Sequence, residues 1–192
     1  MDKVNIFVAY MLSENQGETL QEVADEVREV FRPEGKDENF FHTTLLFIGR
    51  VDVDRLTFIQ EKLAEVAREQ KPISINIDSI GYFYNQKKNF LKVLFTKPKD
   101  IPQELNDLCM ELYKTIGEPL NGQVVPTIFP SRIHFTITKR LKRRLSKEDF
   151  DKLARNIPSF SIPITIDGFG LYHCKDPEHR YYRKISNCKF GD

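Results

Sequence analysis

The feature that most narrows what this chain can fold into is that it repeats itself. Ile77-Asp78-Ser79-Ile80-Gly81-Tyr82-Phe83 and Ile166-Asp167-Gly168-Phe169-Gly170-Leu171-Tyr172 match in pattern at an offset of 89 residues. Hydrophobic periodicity puts the same succession of elements around each copy. A strand over 40–51, an amphipathic helix (Leu56, Ile59, Leu63, Val66, Ala67) and a strand pair at 73–83 and 90–95 make the first unit. A strand over 132–141, a short helix (Phe150, Leu153, Ala154, Ile157) and a strand pair at 162–174 and 181–190 make the second. Short Ile/Gly-rich strand ends can resemble each other by accident, but element order and local text agree independently, which favours duplication. Two units, about 40–95 and 132–190, predict a single domain over 1–192 with two interleaved lobes.

Three further elements complete the pattern. Asn5–Leu12 reads as a mostly buried strand. Leu20, Val23, Ala24, Val27, Val30 and Phe31 form one apolar helix face, which Pro33 and Gly35 end. Leu105, Leu108, Cys109, Leu112 and Ile116 mark another helix. Gly117–Ser131 is dense in breakers (Pro119, Gly122, Pro126, Pro130) and is expected to be a hinge between the halves.

Composition bounds the function classes. Hydrophobic residues make up 40% of the 192, with 15 Phe and 7 Tyr, enough for a packed core, which excludes wholesale disorder. Lys+Arg total 29 against 28 Asp+Glu, a net charge of +1 that argues against a general nucleic-acid coat but leaves room for a local basic patch. The longest apolar run, Ile6–Leu12, falls far short of the roughly 18 residues of a membrane span. No small-residue cleavage site follows it, so neither membrane partner nor signal peptide is expected. Cys109, Cys174 and Cys188 form no CxxC pair and no even framework, as expected of reduced thiols in a cytoplasmic protein. Nothing in the sequence demands more than a monomer.

Two of the four histidines are followed at the second position by Thr: His42-Thr43-Thr44 and His134-Phe135-Thr136. That coincidence alone is weak. Each H-x-T, however, falls in a predicted strand, where residues i and i+2 share a face, so each motif presents an imidazole beside a hydroxyl. The two histidines lie 92 residues apart, close to the repeat offset. If the lobes are related by a pseudo-two-fold, both pairs line one central cleft. A single His or Thr on an apolar strand is more often a satisfied structural residue; the pair at a repeat spacing points to chemistry.

Such a constellation suits the splitting of a phosphodiester. The attacking water must lose a proton and the departing ribose oxygen must gain one. Two imidazoles with an ordinary pKa of about 6.5 can do both, one neutral and one charged. Threonine hydroxyls and nearby cations can hold the phosphoryl oxygens. No metal or other cofactor is required.

The segments Phe41-His42-Thr43-Thr44-Leu45-Leu46-Phe47 and Ile133-His134-Phe135-Thr136-Ile137-Thr138 resemble the paired signatures of the two-histidine (2H) phosphoesterases. The chain is most similar to the LigT-like RNA 2′,3′-cyclic phosphodiesterases, also called 2′-5′ RNA ligases, over nearly its whole length. The resemblance implies a bilobal α+β fold with two antiparallel-rich sheets and outer helices. It also implies that His42 donates a proton to the leaving oxygen, that His134 is the base for water, and that Thr44 and Thr136 hold the phosphate.

One departure bears on substrate. The family's second motif usually reads H-x-T-L-x-R, and here Ile137 and Lys139 stand at the Leu and Arg places. Lysine offers a point charge without arginine's fork. Lys139, Arg140, Lys142, Arg143 and Arg144 crowd five cations into six residues, either a patch that guides an RNA end or nucleotide or a solvated loop. Lys139 is expected on the His134 side and Arg140, a second candidate phosphate contact, on the other face. Phe7, Tyr10, Tyr82, Phe129 and Tyr172 are candidate base-stacking rings, most of the aromatics being needed for the core.

The expected function is metal-independent opening of a ribose 2′,3′-cyclic phosphate on an RNA end or nucleotide, leaving a 2′-phosphate. Cleavage of 2′,5′-linked or cyclic oligonucleotide signals keeps the chemistry with another substrate; a non-catalytic RNA-binding module keeps only the fold. H-E-x-x-H, G-x-S-x-G and G-x-x-x-x-G-K-[ST] are absent. His173, Cys174, His179 and Cys188 fit no zinc-finger spacing and read better as parts of the last strand pair. Asp78 and Asp167, which recur in the repeat, read as turn formers.

Overall fold

The computed structural model describes residues 2–32, 36–37, 40–87, 90–120, 133–139, 145–176 and 181–192. Nine strands and four α-helices follow in the order β1 (Lys3–Met11), α1 (Glu14–Phe31), β2 (Lys36–Asp37), β3 (His42–Asp52), α2 (Leu56–Arg68), β4 (Ile73–Asn85), β5 (Phe90–Pro98), α3 (Gln103–Leu112), β6 (Phe135–Lys139), α4 (Lys147–Ala154), β7 (Ile162–Ile166), β8 (Gly168–Asp176) and β9 (Tyr181–Lys189) among the described residues. They form two antiparallel sheets, β3-β1-β8-β9 and β2-β6-β5-β4-β7, an α+β architecture.

The periodicity is realised with small shifts. In α1 the buried residues are Leu20, Val23, Ala24, Val27 and Phe31, one stripe at helical spacing. The helix ends at Arg32, whose left-handed backbone (φ 42°) turns its N–H back to the Arg28 carbonyl at 2.8 Å. Helix α4 starts at Ser146, whose hydroxyl accepts the Asp149 N–H at 3.1 Å while the Asp149 carboxylate accepts the Ser146 N–H at 2.9 Å. Helices α1 and α4 cover the second sheet, with Phe31 against Phe150 at 5.4 Å, and α2 and α3 cover the first. One apolar core joins both sheets to all four helices. In it the Cys109 thiol is pushed up to about 12 by burial, so it is an inert core group.

The repeat appears as a pairing of the chain with its own copy. Ile75 of β4 lies opposite Ile164 of β7, and those residues are 89 apart in sequence. Ile73 lies opposite Ile166 and Ile77 opposite Ile162, so the pairing is symmetric about the Ile75–Ile164 rung. This rung marks a pseudo-two-fold. Both copies change course at the recurring aspartate. The β4–β5 register shifts between Ile77 and Ser79, around Asp78, whose carboxylate accepts the Lys99 N–H at 2.8 Å. At Asp167 the chain leaves β7 in one sheet and enters β8 in the other.

This corrects the expectation of one strand over 162–174. Only 168–176 forms a hairpin with β9; 162–166 is claimed by β4, because alternating Ile162, Ile164 and Ile166 complete the second sheet's buried face. The two sheets also differ in one strand. The place between β4 and the motif strand β6 is filled by β5, whereas the matching place between β8 and β3 is filled by the N-terminal β1; β9 lies outside β8. The strand expected over 132–141 is shorter, with β6 beginning one residue after His134. Of the expected hinge, residues 121–131 lie outside the described residues.

Ile164 is 1% exposed on the symmetric rung. Its replacement by Ala leaves a cavity where the two copies meet and is expected to cost about 2–5 kcal/mol, read by urea denaturation.

Candidate active site

Sheet register decides which side chains can meet. On the first sheet Met11 pairs with His42, Ala9 with Thr44 and Phe7 with Phe47. Phe7, Ala9 and Met11 alternate along β1 and share one face, so His42, Thr44 and Phe47 share it too. Thr44 and Phe47 are three apart, which strict alternation would set on opposite faces. A bulge at Leu45 inserts the extra residue, because Val8 pairs with Leu46 and Ala9 with Thr44.

The second motif has the same device. Phe95 pairs with Thr136 and Val93 with Lys139, while Leu94 pairs with Thr138, so Ile137 is the extra residue. Phe95 and Val93 alternate on β5 and face one way; Thr136 and Lys139 therefore share a face. A strictly alternating strand would have turned Lys139 away from His134. Leu45 and Ile137 are both fully buried on the core side. In each motif the residues at His, His+2 and His+5 reach the same side: His42, Thr44 and Phe47, and His134, Thr136 and Lys139. Strands β3 and β6, the second strands out from β8 and β4 in their sheets, approach each other with Cα atoms within 8 Å.

Each imidazole is wedged between two aromatic rings. His42 packs against Phe7 at 5.7 Å and edge-on to Tyr182 at 5.2 Å. His134 packs edge-on to Phe83 at 4.9 Å and tilted on Phe95 at 4.9 Å. Such packing limits ring rotation and aims the nitrogens. The rings lie low because of two glycines at equivalent places in the repeat. A Cβ on Gly81 would sit 2.5 Å from the Phe95 ring, and one on Gly170 would sit 2.8 Å from the Tyr172 ring, which stacks on Phe7 at 5.7 Å. His42 Nδ1 lies 3.2 Å from the Phe40 carbonyl. A carbonyl only accepts, so Nδ1 carries a proton in this contact. Thr44 and Lys139 are half-buried and Thr136 is buried.

Other sequence candidates sort clearly. Tyr10 faces the core side, with its hydroxyl donating to the Thr165 carbonyl at 2.9 Å and its pKa raised by burial and then by Asp167. Tyr82 packs on Phe150 at 4.4 Å, also away from the motif face. Phe7 and Tyr172 line the motif face but are buried. Arg140, Lys142, Arg143, Arg144, Phe129 and His179 lie outside the described residues. Cys174 pairs with Tyr182 and Cys188 with Phe169, as rungs of the β8–β9 ladder. Among the described residues no three His, Cys, Asp or Glu side chains group closely enough to hold a metal. No helix among them is long and apolar enough to cross a membrane.

Two aromatics escaped the sequence reading. Phe47 (49% exposed) and Phe83 (36% exposed) are open rings on the motif face. Aligning the motifs on their histidines would have found Phe47, which stands five residues beyond His42 as Lys139 stands beyond His134.

One side chain outside the motifs touches the second bulge. Arg28 of α1 donates from Nη2 to the Ile137 carbonyl at 3.2 Å and from Nη1 to Asp25 at 2.7 Å, and Asp25 also accepts from Gln21 at 2.7 Å. The Arg28 side chain is 15% exposed. A charged donor on the bulge carbonyl holds open the turn that brings Lys139 to the His134 side.

Comparisons agree with this architecture. The family model described as LigT like Phosphoesterase matches residues 11–91, the stretch that carries the first motif. An RNA 2′,3′-cyclic phosphodiesterase of Thermotoga maritima is 23% identical over 193 residues, covering 96% of this chain and 94% of that protein. Among solved structures, Escherichia coli LigT complexed with 3′-AMP superposes with a TM-score of 0.76 at 17% identity, covering 100% of both chains. A protein of Thermus thermophilus superposes with a TM-score of 0.77 at 22% identity, covering 97% of this chain and 98% of that one. The fold is thus that of the solved LigT structures, which the chain matches over its whole length. Over residues 11–91 the chain is similar to the LigT like phosphoesterases.

Replacing Arg28 with Met leaves the Ile137 carbonyl without its charged donor and is expected to cost about 1–3 kcal/mol. With a phosphodiester substrate, KM is expected to rise more than kcat falls, since Lys139 loses its setting while the histidines keep theirs. Arg28→Lys should recover part of both losses; steady-state kinetics and urea melts read the outcome.

Proposed function

We propose that the protein opens ribose 2′,3′-cyclic phosphates by two-histidine acid–base catalysis without a metal, leaving a 2′-phosphate and a 3′-hydroxyl. The observation that carries this reading is the doubled motif. An imidazole and a threonine hydroxyl share a face on each of two symmetry-related strands that approach within 8 Å. The Thermotoga maritima relative, an RNA 2′,3′-cyclic phosphodiesterase, supports the choice of ester.

In this mechanism His134 takes a proton from water as the water oxygen bonds to phosphorus. The bond from phosphorus to the ribose 3′ oxygen breaks, and His42 gives that oxygen a proton from Nε2. The Phe40 carbonyl, accepting from Nδ1 at 3.2 Å, stabilises the charged imidazole and so suits His42 to the acid's part. The proton gained by His134 returns to His42 through solvent, which closes the cycle. Thr44 and Thr136 donate to the phosphoryl oxygens, and the Lys139 ammonium offsets the charge that builds there. Arg140, a second candidate cation in the sequence, lies outside the described residues. The partner is accordingly a small nucleotide or an RNA end, and the protein acts as a monomer in the cytoplasm.

His42→Ala and His134→Ala are each expected to lower kcat on adenosine 2′,3′-cyclic phosphate by roughly 10²–10⁴-fold with unchanged melting. Retention of near wild-type rates by either variant sinks the acid–base assignment. Activity should persist in excess EDTA, and a large loss that added divalent metal restores would overturn the metal-free route. Chromatography should resolve the 2′-phosphate as the sole product.

A further inference from the structure

Beside the motif face lies a hollow of about 470 Å³ that the proposed reaction does not use. It begins at Met11, the rung partner of His42, and runs over Gly168 and Gly170 to Lys184, Asn187 and Lys189. Two continuous rungs of the first sheet tie it to the candidate site. Thr44, Ala9, Gly170 and Asn187 form one, and Phe47, Phe7, Tyr172 and Lys184 form the next. Ala9 and Gly170 leave the face low between the motif strand and the hollow, whose far wall comes from Leu12, Ser13 and Gln16 at the start of α1 and from Thr165 at the end of β7. Gly170 stands two strands from Thr44, about 10 Å at ordinary strand spacing. Lys184 and Lys189 are exposed, and the one carboxylate in the lining is Asp167.

Reaction geometry says what this hollow meets. If His42 protonates the departing 3′ oxygen, the ribose lies over the first sheet, on the side of the hollow. Its 5′ carbon points away from the scissile phosphorus, toward the lysines. We propose that the hollow is a second phosphate subsite, where Lys184 and Lys189 bind the 5′-phosphate of the nucleotide bearing the cyclic ester. A nucleotide with a phosphate at that position, as at the end of an RNA strand, is then preferred over a bare nucleoside cyclic phosphate. The inference rests on the reaction proposed above. The 5′-phosphate can be a terminal monoester or the linkage to a preceding nucleotide, and both present the same anionic oxygens to the lysines.

The test compares three substrates: adenosine 2′,3′-cyclic phosphate, its 5′-phosphorylated form, and the dinucleotide ApA ending in the cyclic phosphate. The wild type should turn over the two with a 5′-phosphate with kcat/KM about tenfold or more above the first, chiefly through KM. The K184A/K189A double variant should lose that preference while keeping its rate on adenosine 2′,3′-cyclic phosphate. A preference confined to the terminal monoester or to the dinucleotide would tell which source the site is built for, and its loss in the variant would still support the subsite. A variant that keeps the full preference, a wild type that shows none, or an equal loss on all three substrates would overturn it. If no substrate is hydrolysed, the proposed reaction fails, and calorimetric binding judges the subsite. ApA ending in a 2′-phosphate should then bind more tightly than adenosine 2′-phosphate in the wild type and equally in the variant; no difference in the wild type overturns the proposal.

Discussion

The structure depends on one antiparallel pairing, that of Ile73–Ile77 with Ile162–Ile166, in which a segment lies against its own copy. A segment paired with its repeat must be related to it by a local two-fold, because each rung maps onto another when the strands exchange places. Beyond that rung the two copies part: past Asp78 the chain stays in the second sheet as the partner of β5, and at Asp167 it crosses into the first. The strands counted outward from β4 and β8 then carry the two motifs at equal distance. The two motif strands thereby approach each other with Cα atoms within 8 Å.

Local irregularity does the rest. A regular strand can present only every second residue to a cleft, whereas each motif strand presents His, His+2 and His+5 because one buried residue, Leu45 or Ile137, is bulged into the core. The bulge in β6 is met from outside by Arg28, so a helix on the far side of the sheet reaches the geometry of the motif strand. Gly81 and Gly170 let aromatic rings lie flat enough to brace the imidazoles from below. The same bulge position serves different ends in the two copies, delivering an aromatic ring at Phe47 and a cation at Lys139.

Much of this was legible in the chain. The amphipathic stripe of α1, the alternation in the strands and the two H-x-T pairs all follow from rules that act over a few residues. Less legible were features that need a partner strand to define them. The stretch 162–174 reads as one strand because Ile162, Ile164, Ile166, Phe169, Leu171 and Tyr172 recur along it, and only the pairing of Ile162–Ile166 with β4 divides it between sheets. The position of Lys139 relative to His134 depends on a bulge that exists only against β5. Tyr10 and Tyr82 read as cleft aromatics until their registers turned them toward the core, while Phe47 and Phe83 were passed over although they face outward.

By itself, then, the sequence determined the elements, the duplication and the residue types able to exchange protons with a phosphodiester, because those properties rest on periodicity and on side-chain chemistry. The tertiary structure alone decided which strand belongs to which sheet, which residues turn toward the motif face, and where a hollow with two lysines opens beside it. The physical reason is register. A one-residue shift between strands far apart in the chain reverses the face of every side chain beyond it, and that shift is set by the packing of both strands together.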